Sequence, residues 1–210
     1  MAQNVVEAVQ AAGVVGAGGA GFPTHVKLAA QVDTVIANGA ECDPLLQCDQ
    51  RLMESRAAEI VRGMQLAMEV TGATRGIVAL KEDYETATAA LRRAIAASAD
   101  RLDLSLLLME SRYPAGDEFV LVYEATGRLV PETGLPLHVG CLVQNVQTFF
   151  NIARAIKGAA VTHRLLTVAG AVAHPATLWV PVGTSIGEIL TWVGGVQPPR
   201  WSERTADDYA

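Results

Sequence analysis

Apolar residues recur along this chain with two alternating periods. Val5, Val6 and Val9 fall on one helical face, which predicts a short helix over 3–12 that packs into the fold or docks a partner. A second short helix is expected over 24–31, carrying His25 and Lys27. Val35-Ile36-Ala37 is continuous and β-branched, the mark of a buried strand. Leu52, Ile60, Met64, Leu66 and Met68 predict a long helix over 50–70, capped by Asp49 and stopped by Gly72. Residues 76–80 read as a strand, 82–99 as an alanine-rich helix and 104–109 as an apolar strand. Asp117-Glu118 open a helix carrying Val120, Leu121 and Val122. Residues 127–140 form a loop region, and 143–148 leads into a helix running to about Lys157. This alternation predicts an α/β core with parallel strands and crossover helices. From His163 the texture changes to two short strands, a turn at His174-Pro175 and a short helix over 185–193. The expected organisation is a domain over 1–160, a small ββα-like unit over 161–197 and a polar, disordered tail over 198–210.

The polar punctuation is most concentrated at residues 13–28, Gly-Val-Val-Gly-Ala-Gly-Gly-Ala-Gly-Phe-Pro-Thr-His-Val-Lys-Leu. Gly16, Gly18, Gly19 and Gly21 leave the backbone nearly free of Cβ atoms, so its N–H groups can approach a ligand closely. Consecutive N–H groups aimed at one point form an anion nest, and a following helix start adds partial positive charge. Pro23 suits a helix entry, and Lys27 lies one turn further on, within reach of an anion or an electron-rich ring. Gly16, Gly18 and Gly21 also spell G-x-G-x-x-G. A Rossmann fingerprint needs a preceding strand and an unbroken helix, whereas here a helix precedes and Pro23 interrupts. A ligand-free glycine loop is the remaining alternative.

Other candidate chemistry sits where strands are expected to end, the usual ligand position in α/β folds. Asn38-Gly39-Ala40-Glu41-Cys42-Asp43-Pro44 offers an amide and two carboxylates, or simply a polar turn. Tyr113-Pro114-Ala115-Gly116-Asp117-Glu118 combines a turn with two acidic residues, which suit either helix capping or hydrogen bonding to ribityl or ribose hydroxyls. Asn145 and Thr148 at a helix start either cap it or present it to a phosphate.

Half of the 210 residues are apolar, enough for a sizeable core, and the net charge is −6 without a basic run. Nucleic acid and charged membrane surfaces are therefore not expected partners. No apolar run reaches the ~18 residues of a membrane span, and the first residues lack a signal-peptide pattern, so a cytoplasmic location is expected. Cys42, Cys48 and Cys141 are read as reduced packing thiols. No C-x-x-C spacing is present, so no metal site is expected.

Four stretches together resemble the flavin-binding subunit family of NADH-oxidising electron-transfer complexes: 16–27, 38–44, 113–118 and Val143-Gln144-Asn145-Val146-Gln147-Thr148. That family includes the flavin subunit of respiratory complex I, the C subunit of the Rnf complex and, most similar, the cobalamin reductases of propanediol-utilising bacterial microcompartments. The match runs over roughly 5–195 in the family's order. It implies a Rossmann-like three-layer α/β domain that binds FMN non-covalently, followed by the beginning of an SLBB module, a small ubiquitin-like fold. Carried over by position, Gly16, Gly18, Gly19 and Gly21 lie against flavin and nicotinamide nucleotide, and Lys27 near the isoalloxazine ring. Asn38, Glu41, Tyr113, Gly116, Asp117 and Glu118 line the flavin and NADH cleft. Gln144, Asn145 and Thr148 hold the phosphate end.

The resemblance further implies that NADH is substrate, with hydride transfer carried by the cofactor and no side chain acting as acid or base. Cobalamin or a cobalamin-carrying enzyme is the implied acceptor, serving a B12-dependent diol dehydratase in a microcompartment. A shell protein, an iron–sulfur protein and a second copy of the chain are further implied partners. One departure stands out: the family's iron–sulfur motifs do not occur here, and the SLBB-like unit stops about halfway. That leaves a natural loss or a chain boundary, and a non-catalytic flavin- or nucleotide-binding scaffold, or electron transfer to a separate iron–sulfur partner, as alternatives.

Overall fold

The computed structural model describes residues 2–98 and 103–197; the expectation of a disordered tail over 198–210 falls outside them. Two compact units result. One comprises the chain up to Cys42 together with Asp49–Val161, and the other comprises Asp43–Cys48 together with the chain from Thr162 onward.

The larger unit opens with α1 (Ala2–Ala11), which buries Val5 and Val9, and α2 (Thr24–Leu28). Four strands follow: β1 (Thr34–Asn38), β2 (Arg75–Lys81), β3 (Asp103–Met109) and β4 (Cys141–Asn145). They form one all-parallel sheet in the order β3-β2-β1-β4. Parallel strands need crossovers, supplied by α3 (Cys48–Thr71), α4 (Glu85–Ala97) and α5 (Glu118–Thr126), while α6 (Val146–Ala155) follows β4. Val35, Ile36 and Ala37 of β1 are wholly buried, as a strand covered on both faces requires.

The layers follow from alternate side chains. Ile36, Ile77 and Val143 share a cluster with Leu121 and Val122 of α5. A Cβ on Gly39 would press on Met53 of α3, and one on Gly76 on Met68, so α3 lies on the opposite face. Gly63 lets α3 touch the backbone of Phe149 in α6, where a Cβ would lie 1.9 Å from its carbonyl oxygen. The expected three-layer α/β architecture is therefore present.

Three details differ from the sequence reading. Residues 141–145 form a strand rather than a loop-to-helix lead. Asp49 does not cap α3; it lies inside the first turn, and its side chain turns to Asn145. The helix expected from 82 starts at Glu85, because Glu82 N–H is drawn to Met109 O at 2.9 Å.

The smaller unit pairs β5 (His163–Val168) with β6 (Ala176–Pro181) antiparallel and adds α7 (Ile186–Trp192). Ser185 and Glu188 form a reciprocal capping box at the start of α7. Leu165, Val180 and Val193 are its buried apolar residues, whereas Ile186 and Trp192 are exposed. Gln47 N–H donates to Thr167 Oγ1 at 3.1 Å, tying segment 43–48 to β5.

Candidate functional site at the carboxyl edge of the sheet

β1 and β4 end level with one another, Asn38 paired in register with Asn145. The sequence-predicted residues gather around these two ends. The glycine loop follows α1 instead of a sheet strand, so the Rossmann alternative does not describe it. A bridge between Val15 and Pro23 and the bond from Gly16 N–H to Phe22 O (2.8 Å) close it upon itself. Gly19 (φ 117°) and Gly21 (φ 63°) take left-handed backbone, which explains glycine at both. Ala17 N–H donates to Thr148 Oγ1 at 3.0 Å, across 131 residues of sequence. A Cβ built on Gly18 would stand 3.6 Å from Asn145 Cβ, and one on Gly16 would stand 4.0 Å from Gln144 Oε1. The loop therefore lies over the start of α6.

That helix start is prepared on both sides. Asn145 Oδ1 caps it, accepting from Gln147 N–H at 2.8 Å, while Asn145 Nδ2 donates to Asp49 Oδ2 at 2.6 Å. Thr148 is fully buried. Gln144 is only 4% exposed, and its Nε2 finds no acceptor among the described residues. A buried donor without a partner costs about 1–3 kcal/mol, so it marks a place where an external acceptor would be welcome.

On the β1 side, Asn38 Nδ2 donates to Gly116 O at 2.8 Å, and Asn38 Oδ1 accepts from Ala40 N–H. Gly116 N–H in turn donates to Cys42 Sγ at 2.9 Å. A Cβ on Gly116 would sit 2.1 Å from Ala40 O, so only glycine permits this approach. Asp117 caps α5 by accepting from the N–H groups of Phe119 and Val120, and Glu118 occupies the first turn. Tyr113 is exposed and joined to Pro114 by a cis peptide. Glu41 Oε2 accepts from Asp49 N–H at 3.3 Å. Lys27 is tied to β4: its Nζ donates to Val143 O at 3.1 Å and stands 5.8 Å from the Phe22 ring centre.

The floor nearby is acidic. Burial, then the charges of Glu41, Asp83, Asp49 and Cys42, push the Tyr84 phenol up to about 12. Tyr84 stays protonated at neutral pH. Two contributors escaped the sequence reading, Asp49 as the partner of Asn145 and Cys42 as the acceptor for Gly116. Both act on residues 74 or more positions away, and no local spacing signals that.

The family described as Complex1_51K, Nuo51 FMN-binding domain, matches residues 9–154. The chain is 53% identical over 195 residues to the cobalamin reductase PduS of Citrobacter freundii, and 52% identical over 197 residues to that of Salmonella typhimurium. Each match covers 92% of this chain and 42% of the relative, so the chain spans less than half the length of these curated proteins. Among solved structures, an NAD+-reducing [NiFe]-hydrogenase in its air-oxidized state aligns with a TM-score of 0.78 at 27% identity, covering 94% of this chain and 39% of that one. Its H2-reduced state gives 0.77, covering 92% and 39%.

The residues present fit a phosphorylated flavin. The orphaned Gln144 Nε2 and the start of α6 offer the kind of donors a phosphate would need. The Cβ-free loop above them supplies close backbone approach. With its fold, this edge and the match over 9–154 in agreement, the chain belongs to the Nuo51 FMN-binding domain family.

Proposed function

We propose that this chain is the FMN-bearing module of an NADH-oxidising cobalamin reductase. The observation that supports it is the meeting of all four motif stretches at the ends of β1 and β4 in a chain 53% identical to a cobalamin reductase. Bound FMN supplies a two-electron acceptor for hydride from NADH and can release electrons singly.

The protein's part is binding, orientation and electrostatics. Gln144 Nε2 and the α6 start would hold the phosphate, with Asn145 and Thr148 fixing that start and the loop above it. Gly16, Gly18, Gly19 and Gly21 admit the flat ring and the nicotinamide against bare backbone. Lys27, held on Val143 O, keeps positive charge beside the loop. Asn38 holds Gly116 O beside the end of β1, and Tyr113, Glu41, Asp117 and Glu118 are the residues that would line the nucleotide there. In this reading no side chain acts as acid or base; Tyr84, its phenol pushed up to about 12, is in its protonated form at neutral pH.

Among the described residues no group of three or more His, Cys, Asp or Glu side chains is arranged to hold a metal ion. FMN bound there would supply electrons to cobalamin, to a cobalamin-carrying enzyme or to a separate iron–sulfur protein. The ββα unit is read as the beginning of an SLBB module, and the setting as a bacterial microcompartment with a shell protein or a second copy as neighbour. No helix among the described residues is long and apolar enough to cross a membrane.

The test is anaerobic: NADH and hydroxocobalamin are mixed with the FMN-loaded chain and the cobalamin spectrum is followed. Reduction that needs chain, FMN and NADH together supports the proposal. NADH oxidation without cobalamin reduction, with a full-length cobalamin reductase relative as positive control, would overturn the acceptor assignment.

A further inference from the structure

We infer that Asp49 is a positioning residue for the flavin site, fixing the Asn145 carboxamide and through it the start of α6. The inference rests on the reading of α6 as the phosphate end. Asp49 is 9% exposed, and a carboxylate so placed needs hydrogen-bond partners. Its Oδ2 accepts a hydrogen bond from Asn145 Nδ2–H at 2.6 Å, a short charge-assisted bond. A carboxylate only accepts, whereas a carboxamide has a donor end and an acceptor end. Asp49 therefore dictates that Nδ2 faces α3 and leaves Oδ1 facing Gln147 N–H.

The same residue reaches the other wall. Asp49 N–H donates to Glu41 Oε2, so Glu41, Asp49 and Asn145 form one line from the end of β1 to the cap of α6. Asp49 sits on α3, which is packed through Gly63 against Phe149 of α6 itself. The two helices thus cannot shift past one another without breaking this line. Asp49 sets the geometry of the phosphate end without having to touch the cofactor.

The experiment is an FMN titration, followed by flavin fluorescence, of the wild-type chain, Asp49→Ala, Asp49→Asn, Asn145→Ala and the Asp49→Ala/Asn145→Ala pair, each with a melting curve. Losing the order of a cap predicts an FMN Kd about 10-fold weaker for Asp49→Ala. Asp49→Asn keeps an acceptor oxygen and stays within about threefold of wild type. On the Asn145→Ala background, Asp49→Ala adds less than about twofold, the signature of a shared pathway. If Asp49→Ala does not fold, Asp49→Ser on both backgrounds, whose shorter side chain withdraws the acceptor from Asn145 Nδ2, reads the same coupling. Kd within twofold of wild type for folded Asp49→Ala, or additive losses in the pair, overturns the inference alone. Failure of the wild-type chain to bind FMN overturns the site and the inference with it.

Discussion

The same two strands, β1 and β4, finish in opposite ways at their two ends. At the amino edge, Arg128 Nη1 donates to Asp33 Oδ1 and to Val139 O, both at 2.8 Å, and Thr34 Oγ1 donates to Asp33 Oδ1. The N–H groups of Asp33 and Thr34 both reach Gly140 O. This end closes on itself through side chains. At the carboxyl edge, Asn38 holds backbone, Asn145 is shared between backbone and the Asp49 carboxylate, glycine replaces side chains, and Gln144 keeps a buried donor without a partner among the described residues. One end is a finished joint; the other is built around something external.

Glycine-to-alanine change at Gly116 should break this contrast most severely. Its Cβ would meet Ala40 O at 2.1 Å, so either α5 or the end of β1 must move. Overpacking of this kind costs about 1–3 kcal/mol; a lower melting temperature and loss of retained FMN are expected. Thr148→Val comes next. It leaves Ala17 N–H without its acceptor, a cost of about 1–3 kcal/mol, and FMN affinity should fall roughly tenfold while Thr148→Ser stays near wild type.

Lys27→Met should cost less, about 1 kcal/mol, because it removes one hydrogen bond to Val143 O at a half-buried position. A slower NADH-dependent bleaching with little change in melting temperature is the expected reading. Arg128→Ala tests the closed edge. Asp33 is exposed and Arg128 half-buried, so solvent screening keeps the ion pair's share of the loss below about 1 kcal/mol, and FMN binding should not change. The pH dependence has a definite sign. Hydrogen bonds from Arg128 and then Thr34 hold the Asp33 carboxyl below its ordinary 3.8. The stabilisation is therefore present above that value and lost as pH falls through the lowered pKa. The melting temperatures of wild type and Arg128→Ala should differ by a steady amount above pH 3.8 and draw together only as pH falls from 3.8 through the lowered pKa.

What was legible in the sequence was mostly local. Asp117 and Asn145 cap α5 and α6 as their positions indicate, and Gly72 ends α3 with φ 75°. β4 was not legible: its five residues end in Gln144 and Asn145 and run straight into α6, so neither period shows. Its identity comes from pairing with β1 across about 100 residues of chain. Asp49 reads locally as a cap, yet the bond to Asn145 lies 96 residues away and wins its side chain. The glycine spacing announced a ligand loop, while what the loop rests on, Thr148, depends on the closed fold. The flavin itself was named by resemblance; the residues alone gave only nest, cation, amide and carboxylate.

The central claim, that the open edge is a working flavin site, is tested most directly by one spectrum. The purified chain is incubated with FMN, desalted, and its visible absorption recorded before and after anaerobic NADH. Retained flavin bands that bleach on NADH addition are the predicted result. A desalted chain without flavin bands, with its melting temperature unmoved by excess FMN, would contradict the account.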